Sequence, residues 1–213
     1  KILEKIEKEE LVYSDLAATT IKSINQHEDS TLAWETYDLE KTKSELEKFD
    51  FQGKAINNKL KLPGIPFGVK DVFNTKGFTT EMGSSIWKGF TPGNNARVVD
   101  SLLAEGCIIV GKTVTAEFAV HGLNQTLNPH NSLHTPGTSS SGSAASISRG
   151  MVPFALATQT GGSITRPASF CGVWGMKPSF GMIARTGSLK TTDSLDSIGF
   201  LTSHGENLRL ILD

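Results

Sequence analysis

The sequence has 213 residues, of which 38% are hydrophobic and 20% are charged, and its formal net charge at pH 7 is −1. This composition is typical of one large or two small globular domains, and the balanced charge excludes a general electrostatic attraction to nucleic acid or to an anionic membrane. No apolar run approaches the length of a membrane-spanning helix. Cys107 and Cys171 lie in apolar stretches, which predicts two buried free thiols in a reducing compartment and therefore a cytoplasmic protein.

The first fifty residues predict helices. One stripe at helical spacing comprises Leu3, Ile6, Glu10 and Tyr13, and a second comprises Leu16, Ala17, Thr20, Ile21 and Ile24. Ser14 is the candidate N-cap of the second helix. A third helix is predicted over residues 38–49, with a charged face that we interpret as solvated, and a short strand over 31–37.

The character of the sequence changes at Pro63, where LPGIPFGVKDVF predicts an apolar strand that contains Lys70. A lysine among apolar neighbours is unusual. Taken alone, this observation favours the interpretation that Lys70 faces outward from an edge strand. Alternation along the strand places the adjacent Asp71 on the opposite face.

Residues 95–105 predict a helix with Gly106 as its C-cap, followed by a strand over 107–110. The stretch GCIIVGKT in this region matches the phosphate-loop pattern GxxxxGK[ST]. A phosphate loop follows a strand and needs a flexible interior, whereas Cys-Ile-Ile-Val is itself the predicted strand. We therefore do not interpret this match as a nucleotide site.

Three histidines, His121, His130 and His134, fall in a predicted loop. The spacing of the last two could suit a zinc pair on a helix, but Pro129 and Pro136 argue against a helix there. No further ligands complete a tetrahedral site, so we predict loop histidines and no metal.

Residues 136–171 contain two Gly/Ser clusters, at 138–143 and 161–163. Between them the pattern predicts a helix over 144–149 and a buried strand over 152–157, which argues against a flexible linker. The following RPASFCGVWG is interpreted as a turn, and the residues beyond it as short strands separated by turns. The last pattern, over 206–213, is the start of a helix without a C-terminal cap, from which we expect a domain that is incomplete at its C-terminus.

Several long motifs in this order resemble the amidase signature family, the Ser–cisSer–Lys hydrolases. They are GIPFGVKD, PGTSSSGSAA, GCIIVGKTVTAEF, TQTGGSITRPASFCGVWGMKPSFG and SLDSIGF. The resemblance covers residues 63–213 and, more loosely, 10–50. It implies a single α/β domain over 1–213, with N-terminal helices in 1–50, a catalytic core in 63–213 and a mixed central sheet between helices. Family members are considerably longer, so the resemblance places much of the substrate pocket outside these residues.

The resemblance implies that Ser163 is the nucleophile, that Ser139 is a bridging serine in a cis peptide and that Lys70 is the base. The implied oxyanion hole consists of the backbone N–H groups of Thr160, Gly161, Gly162 and Ser163. The candidate substrate contacts are Met82, Gly137, Thr138 and Arg166. For Arg166 a structural link to a carbonyl is the favoured interpretation. No cofactor and no metal are implied.

These residue types suit the chemistry. A serine hydroxyl needs a neighbour to take its proton, and a lysine can do so only when burial keeps it neutral. Three departures from the family pattern are Thr138 and Ser141 in place of glycine and Gln159 in place of a structural aspartate. The neighbouring Ser140 and Ser141 leave the bridging position open by one residue.

The expected activity is hydrolysis of the carboxamide C–N bond of a small-molecule amide through an acyl-enzyme on Ser163. An alternative is the glutaminase component (the A chain) of a tRNA-dependent amidotransferase, which would need partner subunits and meet nucleic acid only indirectly. A third alternative is an inactive fragment, or a split protein that requires a second chain. A homodimer is compatible with the sequence, and no membrane partner is expected.

Overall fold

The computed structural model describes residues 2–52 and 59–213, and within them the chain forms a mixed sheet with the strand order β1-β3-β2-β4-β6-β5. The strands are β1 (Trp34–Tyr37), β2 (Pro66–Lys70), β3 (Ile108–Thr113), β4 (Phe154–Gln159), β5 (Trp174–Met176) and β6 (Ser197–Thr202). Strand β2 pairs in parallel with both β3 and β4, and the remaining neighbours are antiparallel. The α/β fold with a mixed sheet is confirmed.

Helices cover this sheet. They are α1 (Ile2–Glu7), α2 (Tyr13–Thr31), α3 (Leu39–Gln52), α4 (Arg97–Ala104), α5 (Ser141–Ser148), α6 (Thr165–Cys171) and α7 (Asn207–Leu212). Short 3₁₀ helices lie at Ser85–Trp87 and Glu117–Ala119. In the part of the chain that the structure describes, none of these helices combines the length and the apolar character needed to cross a bilayer.

Helix α2 is capped from a neighbouring helix and not by its own sequence. The carboxylate of Asp50 in α3 accepts hydrogen bonds from the N–H groups of Tyr13 (2.8 Å) and Ser14 (3.0 Å). Val12 occupies the N-cap position and offers no side-chain bond. The prediction of Ser14 as N-cap was therefore wrong, because a carboxylate distant in sequence satisfies the free N–H groups that a helix start leaves.

Lys70 ends a central strand and not an edge strand. All five residues of β2 are buried, as is typical of parallel strands covered on both faces. On this sheet Phe67 stacks on Phe154 with ring centroids 5.1 Å apart. The outward-facing edge position that Lys70 suggests when taken alone is not observed, because β2 pairs with β3 on one side and with β4 on the other and Lys70 is fully buried.

The segment that resembles a phosphate loop is a regular strand. Residues 108–113 form β3, which pairs with β1 on one side and β2 on the other. Lys112 is fully buried, and its ammonium contacts Asp71 Oδ1 (2.9 Å), Thr80 Oγ1 (2.7 Å) and two backbone carbonyls. The prediction that this stretch is a strand is confirmed, and Lys112 is held inside the sheet by Asp71.

The Asp71–Lys112 ion pair gives the first testable expectation. Replacing Lys112 by methionine leaves the Asp71 carboxylate buried without its counter-charge, which should lower the free energy of unfolding by about 3–5 kcal/mol. Urea denaturation of Lys112→Met measures this loss, and adding Asp71→Asn should recover part of it. The matched control is Lys48→Met, which breaks an exposed pair with Glu45 (3.0 Å) and should cost less than about 1 kcal/mol. Equal losses in the two methionine variants would contradict this assignment.

Two elements near the carboxyl ends of β2 and β4 differ from the predictions. Helix α5 begins at Ser141, earlier than predicted, because its serines are buried and bonded: Ser143 Oγ contacts Thr113 Oγ1 (2.7 Å) and the carbonyl of Leu156 (2.9 Å). This close packing requires Gly142, where a Cβ would collide with the carbonyl of Ala33.

The turn interpretation of RPASFCGVWG was also wrong, because residues 165–171 form α6, with a proline in its first turn.

Candidate functional site

The side chain of Lys70 reaches two hydroxyl groups in the centre of the sheet. Its Nζ donates to Ser139 Oγ (2.7 Å) and to Thr158 Oγ1 (2.8 Å), and the residue is fully buried. Among the described residues, no carboxylate forms an ion pair with it. Burial lowers the pKa of Lys70 from its ordinary value of 10.5 to about 7, although the negative charge of Asp196 acts in the opposite direction. A neutral amine is therefore accessible near neutral pH.

Ser139 lies at the start of the segment that leads into α5. The peptide bond between Thr138 and Ser139 is cis, and the carbonyl of Ser139 accepts a hydrogen bond from the N–H of Ala116 (3.2 Å). The neighbouring hydroxyls are engaged elsewhere: Ser140 Oγ donates to the carbonyl of Thr158 (3.3 Å), and Ser141 Oγ accepts from Asn124 (2.7 Å). Of these three serines, Ser139 is the one whose hydroxyl meets Lys70 Nζ.

Residues 160–163, which include the predicted nucleophile Ser163, join β4 to α6, and we name this segment the nucleophile loop after that prediction. The N–H of Ser140 donates to the carbonyl of Ser163 (3.4 Å), which brings this loop beside the cis peptide. Within residues 2–52 and 59–213, no acceptor engages the N–H groups of Gly161, Gly162 and Ser163, and the hydroxyl of Ser163 is likewise unbonded. A Cβ on Gly161 would meet nothing within 4 Å, so this part of the loop faces open space.

Gln159 performs a capping role at the start of α6. Its Oε1 accepts hydrogen bonds from the N–H groups of Ile164 (2.9 Å) and Thr165 (3.0 Å). A carboxamide oxygen is a sufficient acceptor for these free N–H groups. The departure at position 159 therefore removes a charge but leaves a cap, which fixes the end of the nucleophile loop.

The candidate substrate contacts fall into two places. Arg166 Nη1 donates to Thr138 Oγ1 (3.4 Å), so a hydroxyl and not a carbonyl is its partner. Gly137, with φ +82°, packs so closely on the backbone of Pro167 that a Cβ there would lie 2.8 Å from Pro167 Cα. Met82 is bonded elsewhere, because its N–H donates to the carbonyl of Asp71 (3.0 Å) at the end of β2.

Two residues of the site have no role in the sequence-based prediction. Thr158 contacts Lys70, and Asp196 accepts a hydrogen bond from Thr160 Oγ1 (2.5 Å) in the nucleophile loop. Both lie in motifs that resemble the family, TQTGG and SLDSIGF. The sequence feature that could have indicated Asp196 is its position, a carboxylate immediately before an apolar strand.

The remaining candidate metal ligands are the three loop histidines and the two cysteines. His130 Nε2 lies 2.9 Å from the carbonyl of Cys171, and His121, His130 and His134 are all exposed. In the described ranges, no group of three or more His, Cys, Asp or Glu side chains could hold a metal ion. Cys107 and Cys171 are buried and free, as predicted, and burial raises the pKa of both thiols, that of Cys171 to about 12.

Comparison with known proteins places this geometry in a family. The sequence model of the family Amidase matches residues 15–213. The A chain of the glutamyl-tRNA(Gln) amidotransferase of Natranaerobius thermophilus is 40% identical over 205 residues, which cover 93% of this chain and 42% of that protein. The native peptide amidase of Stenotrophomonas maltophilia superimposes with a TM-score of 0.90 at 28% identity, covering 99% of this chain and 46% of its own.

A third similarity is to a solved protein described as part of a vestigial complex that reveals the origins of an s-triazine catabolic enzyme. Its TM-score is 0.93 at 33% identity, over 100% of this chain and 48% of that one. The chain thus spans somewhat less than half the length of each of these relatives. The matched motifs, the mixed sheet and the family model agree, and the chain therefore belongs to the amidase signature family.

Proposed function

We propose that the protein is an amidohydrolase that cleaves a carboxamide C–N bond through an acyl-enzyme on Ser163. The observation that carries this proposal is the buried amine of Lys70, whose Nζ lies within hydrogen-bond distance of Ser139 Oγ (2.7 Å) beside the nucleophile loop. Burial favours the neutral amine, the form that can accept a proton. We also propose a cytoplasmic location, which is compatible with the two free thiols, and treat residues 1–213 as one domain.

The first half of the reaction activates Ser163. Neutral Lys70 takes the proton of Ser139 Oγ, and Ser139 takes the proton of Ser163 Oγ as that oxygen attacks the amide carbon. The C–O bond forms while the carbonyl π electrons move to oxygen, which gives a tetrahedral oxyanion. The free N–H groups of Gly161, Gly162 and Ser163 are available to donate to it.

The second half of the reaction releases ammonia or an amine and regenerates the hydroxyl of Ser163. Ser139 gives its proton to the leaving nitrogen and takes one back from Lys70, so that ammonia or an amine departs as the C–N bond breaks and Lys70 is neutral again. Water then attacks the acyl-enzyme through the same relay and liberates the carboxylic acid. The free N–H groups support these steps, because each donor of this kind stabilises the tetrahedral intermediates by roughly 3 kcal/mol.

The proposal is tested by intercepting the acyl-enzyme with hydroxylamine. The purified protein should release ammonia from at least one member of a panel of small carboxamides and glutamine. Added hydroxylamine should divert the acyl group to a hydroxamate in proportion to its concentration. Absence of turnover across the panel contradicts the amidohydrolase. Turnover without hydroxamate contradicts the acyl-enzyme.

A second candidate is the ammonia-supplying component of a tRNA-dependent amidotransferase. The observation that favours it is the 40% identity to a protein named as the A chain of a glutamyl-tRNA(Gln) amidotransferase. Such a protein would hydrolyse glutamine weakly when alone and faster with its partners. Affinity purification from the native host distinguishes the two, because a stoichiometric partner that stimulates glutamine hydrolysis supports the second candidate, and full activity as an isolated chain supports the independent amidase.

A further inference from the structure

Asp196 is the acceptor for an unusual number of donors directly before β6. Its Oδ1 receives the hydroxyls of Thr160 (2.5 Å), Thr191 (2.8 Å) and Thr192 (3.1 Å). Its Oδ2 receives the N–H groups of Thr191 (2.6 Å) and Thr192 (2.9 Å). Burial acts to raise the pKa of this carboxyl, but these hydrogen bonds outweigh it and lower the pKa to about 2. The carboxylate is therefore charged throughout the neutral range.

This carboxylate connects the nucleophile loop to the segment that precedes β6. Strand pairing places Ser197 opposite Gln159, so that Asp196 lies beside Thr160, the first residue of the nucleophile loop. At the other end, Gln159 Oε1 fixes the start of α6. Asp196 thus anchors the first residue of the nucleophile loop, whereas the N–H of Ser140 holds the carbonyl of Ser163 at its other end.

The same carboxylate also acts on Lys70, because its negative charge favours the ammonium form. Thr158, Thr160 and Asp196 line one narrow cleft, and Thr158 Oγ1 is a partner of Lys70 Nζ. The other charged groups near Asp196 either have hydrogen-bond partners of their own or face solvent. Arg185 lines the cleft but donates to the carbonyls of Thr192 and Asp193, and the side chains of Lys190 and Asp193 are exposed.

We propose that Asp196 is a positioning residue of the reaction, which holds the nucleophile loop through Thr160 and contributes a fixed negative charge beside Lys70. The inference rests on the proposed function, since it assigns the loop to oxyanion binding. A purely structural carboxylate would stabilise the fold without affecting proton transfer. A positioning carboxylate affects both the geometry of the donors and the proton affinity of the base.

The experiment compares Asp196→Asn, Thr160→Val and the parent protein by two readouts. The first is the rate at which a fluorophosphonate labels Ser163 as a function of pH. The second is the titration of Lys70, followed by NMR of carbon-13-labelled lysine, which does not depend on activity. Asp196→Asn should label about 10²-fold more slowly at its plateau, the loss typical of a small displacement of reacting groups. Its Lys70 titration should move to lower pH, because the charge that favours the ammonium has been removed.

Thr160→Val separates the two effects, since it cuts the link to the loop but keeps the charge. It should label slowly while the Lys70 titration stays at the parental pH. The matched control Asp193→Asn removes one negative charge from the same segment at an exposed position and should change neither readout.

The outcomes decide between the possibilities. A parental labelling rate in Thr160→Val, or an unmoved Lys70 titration in folded Asp196→Asn, overturns the proposal. If Asp196→Asn does not fold, Thr160→Val alone decides, because it removes a single hydroxyl. Failure of the proposed function is distinct, since the parent would then not be labelled at Ser163 at all.

Discussion

Replacing Ser163 by alanine is expected to reduce amide turnover by about 10⁶-fold, the loss seen when a serine hydrolase loses its nucleophile. The fold should be retained. Ser163 is 7% exposed, and its hydroxyl has no hydrogen-bond partner in the described part of the chain, so its removal leaves no buried group unsatisfied. Thermal unfolding should therefore occur at the parental temperature within about 2 °C, as for a change of less than about 0.5 kcal/mol.

The measurement is turnover together with mass spectrometry of the fluorophosphonate-labelled peptide. The matched control is Ser169→Ala, since Ser169 is exposed on α6, beyond the proposed nucleophile in the chain. The control should retain parental turnover and label at Ser163. Modification of Ser139 in the parent would exchange the roles of the two serines. Undiminished turnover in Ser163→Ala would place the nucleophile elsewhere.

The sequence was sufficient for most elements but not for their order in the sheet. The apolar runs predicted the cores of β2, β3 and β4, and the edge strand β1, because local periodicity reports burial. Which strands lie next to each other depends on contacts between distant residues, and it decides whether Lys70 is at an edge or in the centre. The start of α5 was missed because Ser141 and Ser143 read as a polar loop, whereas their hydroxyls are satisfied inside the protein.

The site was predictable to the extent that motifs carried it. Lys70 and Ser139, 69 residues apart in sequence, are in contact, and the resemblance named both. Asp196 and Thr158 went unassigned because their importance arises from what they touch: Thr158 is 88 residues from Lys70, and Asp196 is 36 from Thr160. A hydroxyl or carboxylate in a sequence gives no indication of such partners. The cap by Gln159 was missed because substitution of an acid suggested a lost interaction, whereas the amide oxygen preserves it.

Replacing Lys70 by methionine is expected to lower turnover by about 10⁴-fold, the upper range for loss of a general base. Methionine has similar length and is apolar, so it fills the same space in the sheet. In the parent, turnover should rise with pH through the pKa of Lys70, near 7, because only the neutral amine accepts a proton. The residual turnover of Lys70→Met should lack this rise. The measurement is the initial rate of ammonia release across the pH range in both proteins.

Stability provides a readout of Lys70 that is independent of catalysis. Burial lowers its pKa in the folded state to about 7, whereas the unfolded chain retains the ordinary value of 10.5. Between these values the unfolded state binds a proton that the folded state does not, so raising the pH favours folding. Lys70→Met should lose this contribution to the rise in unfolding free energy, measured by urea denaturation at several pH values, and Lys190→Met, at an exposed position, should keep it. A parent whose turnover falls as the pH increases through 7, or a pH dependence of stability that Lys70→Met preserves, would mean that the buried amine is not the neutral base, because both effects arise from the same lost proton.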